Sequence, residues 1–345
     1  MDNFTLITAN TFGDGDGGYV KVEAGTISLQ NGSQINTLSR SAGDGGSLNI
    51  NASESITVSG YYTNAQGTKY YSGFYGDTDN LGEGGFIHIT TPSLLLDNGR
   101  ISTTAWGNGN AGYIRLDVTD LTLLPGSRIQ SNSSGLGYGG LVQIDAAGTV
   151  LVSGASIKTE GFSTGESGFI SINASALKLN NGAISTTAWG NGNAGFINLD
   201  IGRLSLSQGS SITSDTYVAG YAGLISIEAS DSMSLSGSSY ISTGTDLSGE
   251  GGLVGIKTPL LEMDLFSLIT ANTYGSGQGG YILVDAGKIN LKNGSQINSF
   301  SRGSGNAGGV MILASDSIEI EGLYETVGHI YHSGFYCSAL STGNG

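Results

Sequence analysis

Cysteine, proline and charge are all scarce in this 345-residue chain. One cysteine, Cys337, cannot make an internal disulfide, so the fold is not stapled. Three prolines leave few rigid breaks. Charged residues make up 12% of the chain, against roughly 25% in an average globular protein. The 13 basic residues against 28 acidic ones give a formal net charge of −15. That balance repels a phosphate backbone and an anionic membrane surface, which argues against nucleic acid as a partner. No apolar run approaches the roughly 18 residues of a membrane-spanning helix, so membrane insertion is not expected. Met1-Asp2-Asn3-Phe4 has neither the basic start nor the apolar stretch of a signal peptide.

Glycine, by contrast, supplies 59 positions, and 38% of residues are hydrophobic, enough to fill a core. The glycines are periodic. Taking the second residue of each Gly-Gly, Ala-Gly or Ser-Gly pair ahead of an apolar run gives eleven anchors: Gly18, Gly46, Gly85, Gly112, Gly140, Gly168, Gly195, Gly223, Gly252, Gly280 and Gly308. Nine of the ten intervals lie within one residue of 28.

Aliphatic side chains stand two and four residues after each anchor, as in Ile114/Leu116 and Ile197/Leu199. A second alternating pair follows, as in Leu121/Leu123, then a turn glycine such as Gly126, then an isoleucine such as Ile129. Alternation with period two marks strands with one buried face. Helix is excluded because no three-and-four spacing persists and glycine interrupts every window. The fold class is therefore all-β: a parallel β-helix, or β-solenoid, with three strands per rung of about 28 residues, wound right-handed by the usual crossover chirality. Ten intervals at the strand spacing give a rod roughly 48 Å long.

A longer period overlies the short one. Residues 1–60 match 263–322 without a gap at 35 of 60 positions. Met1 thereby aligns with the internal Met263, and neither end carries a polar cap. The expectation is a single continuous solenoid segment, 1–345, of a longer repetitive protein.

The one long interval, Gly46 to Gly85, carries about eleven extra residues after Gly60. This insertion, 61–80, is aromatic, with Tyr61, Tyr62, Tyr70, Tyr71, Phe74 and Tyr75 as its candidate binding residues. A second insertion, 323–340, repeats it with Tyr324, Tyr331, Phe335 and Tyr336. Two readings stand: loops presented for a glycan or a cell-surface protein, or rings packed on the rod's flank. As loops they would sit roughly 43 Å apart, nine rungs at the strand spacing. Removing residues 61–80 is then expected to leave a folded rod.

The residue after the anchor is Tyr, Phe or Leu in nine of eleven rungs, among them Tyr19, Phe86, Tyr113, Phe169, Phe196 and Tyr281. The expectation is that the glycine-rich loop folds over this stripe and makes it core. Pointing outward, it would suit lateral packing of neighbouring copies. Glu23, Asp117, Asp145, Asp200, Glu228 and Asp285 share the position five after the anchor. Stacked carboxylates repel unless solvated or bridged by Ca²⁺; the solvated face is the expectation, so no cofactor and no metal site is assigned. Gly13-Asp14-Gly15-Asp16-Gly17 lacks the repetition of a calcium-binding nonapeptide. His88, His329, His332 and Cys337 form no repeated set, and the acids are spread by the repeat. Catalysis, which needs a local carboxylate cluster, is not expected.

The run Gly-Asn-Gly-Asn-Ala-Gly-Phe-Ile-Asn-Leu-Asp at 190–200, followed by Leu-Ser-Leu-Ser-Gln-Gly-Ser-Ser-Ile-Thr-Ser at 204–214, resembles filamentous-haemagglutinin-type repeats. The resemblance spans the chain apart from the two aromatic insertions. It implies a large exoprotein of a Gram-negative bacterium, exported by two-partner secretion through an outer-membrane pore and placed at the cell surface or outside the cell. It implies a non-catalytic stalk or fibre segment of an adhesin, with a sheath or surface layer built by lateral rod packing as the alternative. It carries over no functional residue.

Overall fold

The computed structural model describes Met1 and residues 4–339; residue 340, which closes the second insertion as drawn from the sequence, lies outside the described residues. Among the described residues there is no helix, hence none long and apolar enough to cross a membrane. The chain is a β-solenoid of about 11 turns with repeats of roughly 28 residues. By its contacts it divides into two compact units, Met1–Ala174 and Ser175–Gly345.

Each rung has a long strand and a short one. In the first unit the long strands include Tyr19–Gln30, Ser47–Ser59, Phe86–Asp97, Tyr113–Leu124 and Leu141–Ser153, each paired in parallel with the next. In the second they are Phe196–Ser207, Leu224–Leu235, Leu253–Met263, Tyr281–Lys292 and Gly309–Glu321. Short strands such as Arg100–Ser102 and Arg128–Gln130, or Tyr240–Ser242 and Leu268–Thr270, form a second parallel ladder in each unit. Equivalent residues face each other across rungs, as Ile114 with Val142 and Ile129 with Ile157.

The first two strands of each rung run on as one long strand, with the corner inside it. In Tyr113–Leu124, Ile114, Leu116 and Val118 are buried, then Thr119 and Asp120 both face out, then Leu121 and Leu123 are buried. Two consecutive outward residues shift the phase of burial, which is how the chain turns without leaving the ladder. The next rung has one more residue here, Gly148, and Asp120 Oδ1 takes up the slack by accepting the Thr149 amide at 2.8 Å.

The periodic glycines have a steric cause. The amide of Gly140 donates to the Ser131 carbonyl at 2.9 Å and that of Gly223 to Ser214 at 3.0 Å, closing the loop that ends each rung. The edge where a Cβ would stand lies against the neighbouring anchor's carbonyl oxygen: Gly112 against Gly85, Gly140 against Gly112, Gly168 against Gly140, and Gly252 against Gly223. A side chain there would collide with backbone, which cannot move aside without disturbing the rung beneath. Inside the corner, hydroxyls satisfy the same carbonyls: Ser131 Oγ donates to Gly112 O and Ser214 Oγ to Gly195 O, both at 2.7 Å. Buried backbone oxygens are thus paired, as a dry core demands. Each fully buried Ile or Leu adds roughly 1.5–3 kcal/mol of hydrophobic stabilisation.

Candidate functional site

The first aromatic insertion is a β-hairpin. Tyr61–Thr63 pairs antiparallel with Lys69–Tyr71, placing Tyr62 opposite Tyr70. Asn64 closes its turn, its Oδ1 accepting the amides of Gln66 at 3.0 Å and Thr68 at 2.9 Å, with Gly67 at φ +82°. The insertion ends at residue 71. Gly73–Tyr75 has rejoined the rung as its short strand, with Phe74 between Ile35 and Ile101. Phe74 is 0% exposed. It fills the core position that isoleucine holds elsewhere, so it presents no face to a ligand, and removing 61–80 would take a core strand with it. Phe335 holds the equivalent place beside Ile297.

The hairpin packs back onto the neighbouring rungs. Its entry and exit meet where the Ser72 amide donates to Gly60 O at 3.0 Å, and Gly60 turns at φ +70°. Gly32, at φ +86°, passes directly beneath: a Cβ there would stand 2.6 Å from Tyr62 Cβ and 2.9 Å from Tyr70 O. The Gly32 amide donates to Ser72 Oγ at 2.9 Å, and Ser72 Oγ donates to Ser59 O at 2.7 Å. Beyond Gly32, the ring of Phe4 receives both tyrosines, with centroids 5.3 Å from Tyr62 and 4.8 Å from Tyr70. Tyr71 is covered by the Arg100 guanidinium at 3.9 Å, and Tyr61 by Lys69 at 4.3 Å. Tyr75 hydroxyl donates to Tyr71 O at 3.0 Å, and burial pushes its pKa up.

The second unit builds the same object. Leu323–Thr326 pairs with His329–His332, setting Tyr324 opposite Tyr331. Phe266 receives Tyr324 at 5.2 Å and Tyr331 at 4.4 Å. Gly294 passes beneath with its amide on Ser333 Oγ at 2.9 Å, and Tyr336 hydroxyl donates to His332 O at 3.1 Å. Phe4 and Phe266 sit at φ 56° and 57°, at the position that Gly32, Asn98, Gly126 and Ser238 hold at positive φ in other rungs. A bulky residue at positive φ is strained by about 1–3 kcal/mol, and at both phenylalanines the ring contacts offset that strain. Sequence reasoning missed these two phenylalanines as the seat of the hairpins; their identity across the long repeat was the signal.

Beside the second hairpin runs a groove of about 660 Å³, lined among others by Tyr240, Phe266, Thr270, Tyr274, Asn298 and Arg302. Its floor is polar: Thr270 Oγ1 donates to Ser242 Oγ at 3.3 Å, and Asn298 Nδ2 to Gln296 Oε1 at 3.3 Å. A ladder of side-chain oxygens underlies it. Asn272 Oδ1 accepts the Phe300 amide at 2.8 Å, and Asp215 Oδ1 the Gly244 amide at 2.6 Å. In the first unit Asn10 serves Leu38, Asp77 serves Thr104 and Asn132 serves Glu160. Burial outweighs these hydrogen bonds for the two acids, raising Asp77 to about 6 and Asp215 to about 7.

The post-anchor stripe is not core. Tyr19 and Tyr281 are 61% and 62% exposed, and Leu253 is also exposed; Phe86, Tyr113, Phe169 and Phe196 are half-buried on the outward side of their strands. The glycine-rich loop stacks on its own neighbours and leaves the stripe uncovered, against the sequence-based expectation. Phe86 and Tyr113 touch at 5.2 Å.

The carboxylate column is broken by basic residues in and beside it. Register sets His88 beside Arg115 and Asp117 beside Asp145. His88 Nε2 donates to Asp117 Oδ2 at 2.7 Å, and Arg115 bridges Asp117 at 3.1 Å and Asp145 at 3.9 Å. Partial burial opposes the charge on Asp117, but the hydrogen bonds from Arg115 and His88 prevail and hold its pKa below the usual carboxylate value. Lys257 pairs with Glu228 at 2.6 Å and faces Asp285 in the next rung. Among the described residues no group of three or more His, Cys, Asp or Glu is placed to hold a metal ion. His329 and His332 lie on the exposed strand of the second hairpin.

Comparison of the chain with family models, with curated proteins and with solved structures finds no match.

Proposed function

We propose that this chain is a structural, non-catalytic segment of a fibre or adhesin at the surface of, or released from, a Gram-negative bacterium. The β-solenoid architecture fits a structural role. The resemblance of its repeats to filamentous-haemagglutinin-type arrays supports the location and export through an outer-membrane pore. The carrying observation is the hairpin-and-seat assembly built twice with the same residues. Most of its rings are spent on packing, so the binding surface is the groove that the hairpin walls, rather than the hairpin tip. Asp117 is tied to two donors and pushed away from protonation, so it does not supply the protonated carboxyl that a glycosidase pair needs. The test is attachment of the purified chain to cells and extracellular matrix, with and without residues 61–71 and 323–332. Loss of attachment in a variant with unchanged far-UV circular dichroism supports the reading; full attachment removes it.

The outward stripe favours a second reading, a sheath built by lateral packing of copies. Tyr19, Tyr281 and Leu253 are apolar and exposed along outward strand faces. Tyr281→Lys with Leu253→Lys would then leave the fold intact and abolish lateral assembly in electron micrographs.

A further inference from the structure

The two copies of the long repeat differ in a patterned way. On the outer side of the long strands Tyr19 and Tyr281 match, but several positions have diverged: Lys21 against Leu283, Asn49 against Met311, Asn51 against Leu313, Thr57 against Glu319. On and just beyond the short strands Leu38 differs from Phe300 and Phe12 from Tyr274, while Leu6 and Leu268, Thr8 and Thr270, Gln34 and Gln296, Asn36 and Asn298, Arg40 and Arg302 are pairwise identical. None of these is among the buried core aliphatics of its rung. Part of the identity serves the hairpin, since Gln34 Nε2 donates to Tyr71 O and Gln296 Nε2 to His332 O. Thr8, Asn36 and Arg40, with their partners in the second copy, make no hydrogen bond to the hairpins.

What these residues leave unused is chemically coherent. Asn298 is 3% exposed, lines the groove, and its Oδ1 accepts no hydrogen bond from the described residues; Asn36 Oδ1 repeats this in the first copy. A buried carbonyl oxygen without a donor is destabilising, and an incoming hydroxyl can recover that loss. Tyr274 and Tyr240 stand 47% and 38% exposed along the same groove. The Arg302 guanidinium lies 5.0 Å from the Tyr274 ring centre, as Arg40 lies 5.5 Å from Phe12. Among the described residues no carboxylate pairs with Arg302. Ring faces for the C–H side of a pyranose, an amide acceptor and a hydroxyl for its OH groups, and one planar donor together describe a sugar subsite.

We propose that the groove walled by the second hairpin binds a linear neutral glycan, Tyr274 stacking a pyranose ring while Arg302, Thr270 and Asn298 meet its hydroxyls. This rests on the preceding reading of the hairpin-walled face as the binding surface. The net charge of −15 disfavours polyanionic glycans.

The experiment is calorimetric titration of the full chain with cellohexaose, laminarihexaose, maltohexaose and mannohexaose, repeated on Tyr274→Ala, Arg302→Ala and, as an exposed aromatic control, Tyr221→Ala. Binding of at least one hexaose, weakened about tenfold by Tyr274→Ala and by Arg302→Ala but not by Tyr221→Ala, is the expected result. No binding of any hexaose, or equal weakening by all three substitutions, overturns the proposal. Cell attachment of the same variants separates the two failures. If hexaoses do not bind but Tyr274→Ala still loses attachment, only the ligand class is wrong. If attachment also ignores removal of 323–332, the function reading falls with it.

Discussion

The ring of Phe266 lies on that of Tyr324, 5.2 Å between centroids and 15° from parallel, with Gly294 passing between their rungs. That contact fastens a hairpin to the solenoid, and it is made by a residue held at φ 57°. Phe266→Ala keeps the awkward backbone and removes the ring, forfeiting about 0.5–1.5 kcal/mol for each aromatic pair. Amide exchange across 323–332 is expected to speed several-fold while the long strands, such as Tyr281–Lys292, exchange as before. Unchanged exchange in the hairpin would show that Phe266 does not hold it.

The two ends of the first hairpin meet at Gly60 and Ser72, 3.0 Å apart from amide to carbonyl. Excising residues 61–71 is therefore expected to leave the thermal midpoint within a few degrees of the parent. Excising 61–80 removes Phe74 and the short strand Gly73–Tyr75, and is expected to abolish cooperative unfolding. Differential scanning calorimetry of the two deletions decides it; equal loss in both would mean the hairpin itself holds the rung.

The anchor glycines yield a sharper contrast. Gly140→Ala drives a methyl into the Gly112 carbonyl, with an expected cost of about 2–4 kcal/mol in urea unfolding. Gly13→Ala meets nothing within 4 Å and is expected to cost under about 0.5 kcal/mol. Similar midpoints for the two variants would refute the steric account of the period.

Asp215 gives the fold a pH slope. Its folded-state pKa is about 7, raised by burial from an ordinary 3.8. Between those values the folded chain keeps a proton that the unfolded chain releases, so this group's contribution to stability falls as pH rises and is most favourable below the window. Asp77 acts likewise up to about pH 6. Asp215→Asn retains an oxygen for the Gly244 amide, as Asn10, Asn132 and Asn272 do for theirs. Urea midpoints near pH 4.5 and 7.5 are expected to differ less in the variant than in the parent. An identical difference in both would show that Asp215 does not carry the slope.

Much of this was legible before any coordinates. The spacing of Gly112, Gly140 and Gly168, and the alternation around Ile114 and Leu121, led directly to rungs and register, because a repeating unit that cannot bury its own face must stack. The site was less legible. Phe74 read as one more ring in an aromatic insertion, since sequence does not mark where a hairpin ends and a core strand resumes. The stripe at Tyr19 and Tyr281 read as covered, because loop glycines suggested a lid where they are in fact packed against one another. His88, Arg115 and Asp117 looked dispersed, as residues 27 to 29 apart do until a helix of strands brings them side by side.

The closure at Gly60 and Ser72 means that the rung is complete without what hangs from it. Chain can lengthen, shorten or be exchanged between those two residues while every strand above and below keeps its partner. Variation at that point changes what the molecule carries and not what it is made of, so a binding segment grafted there would inherit a rigid support and a defined orientation without further redesign.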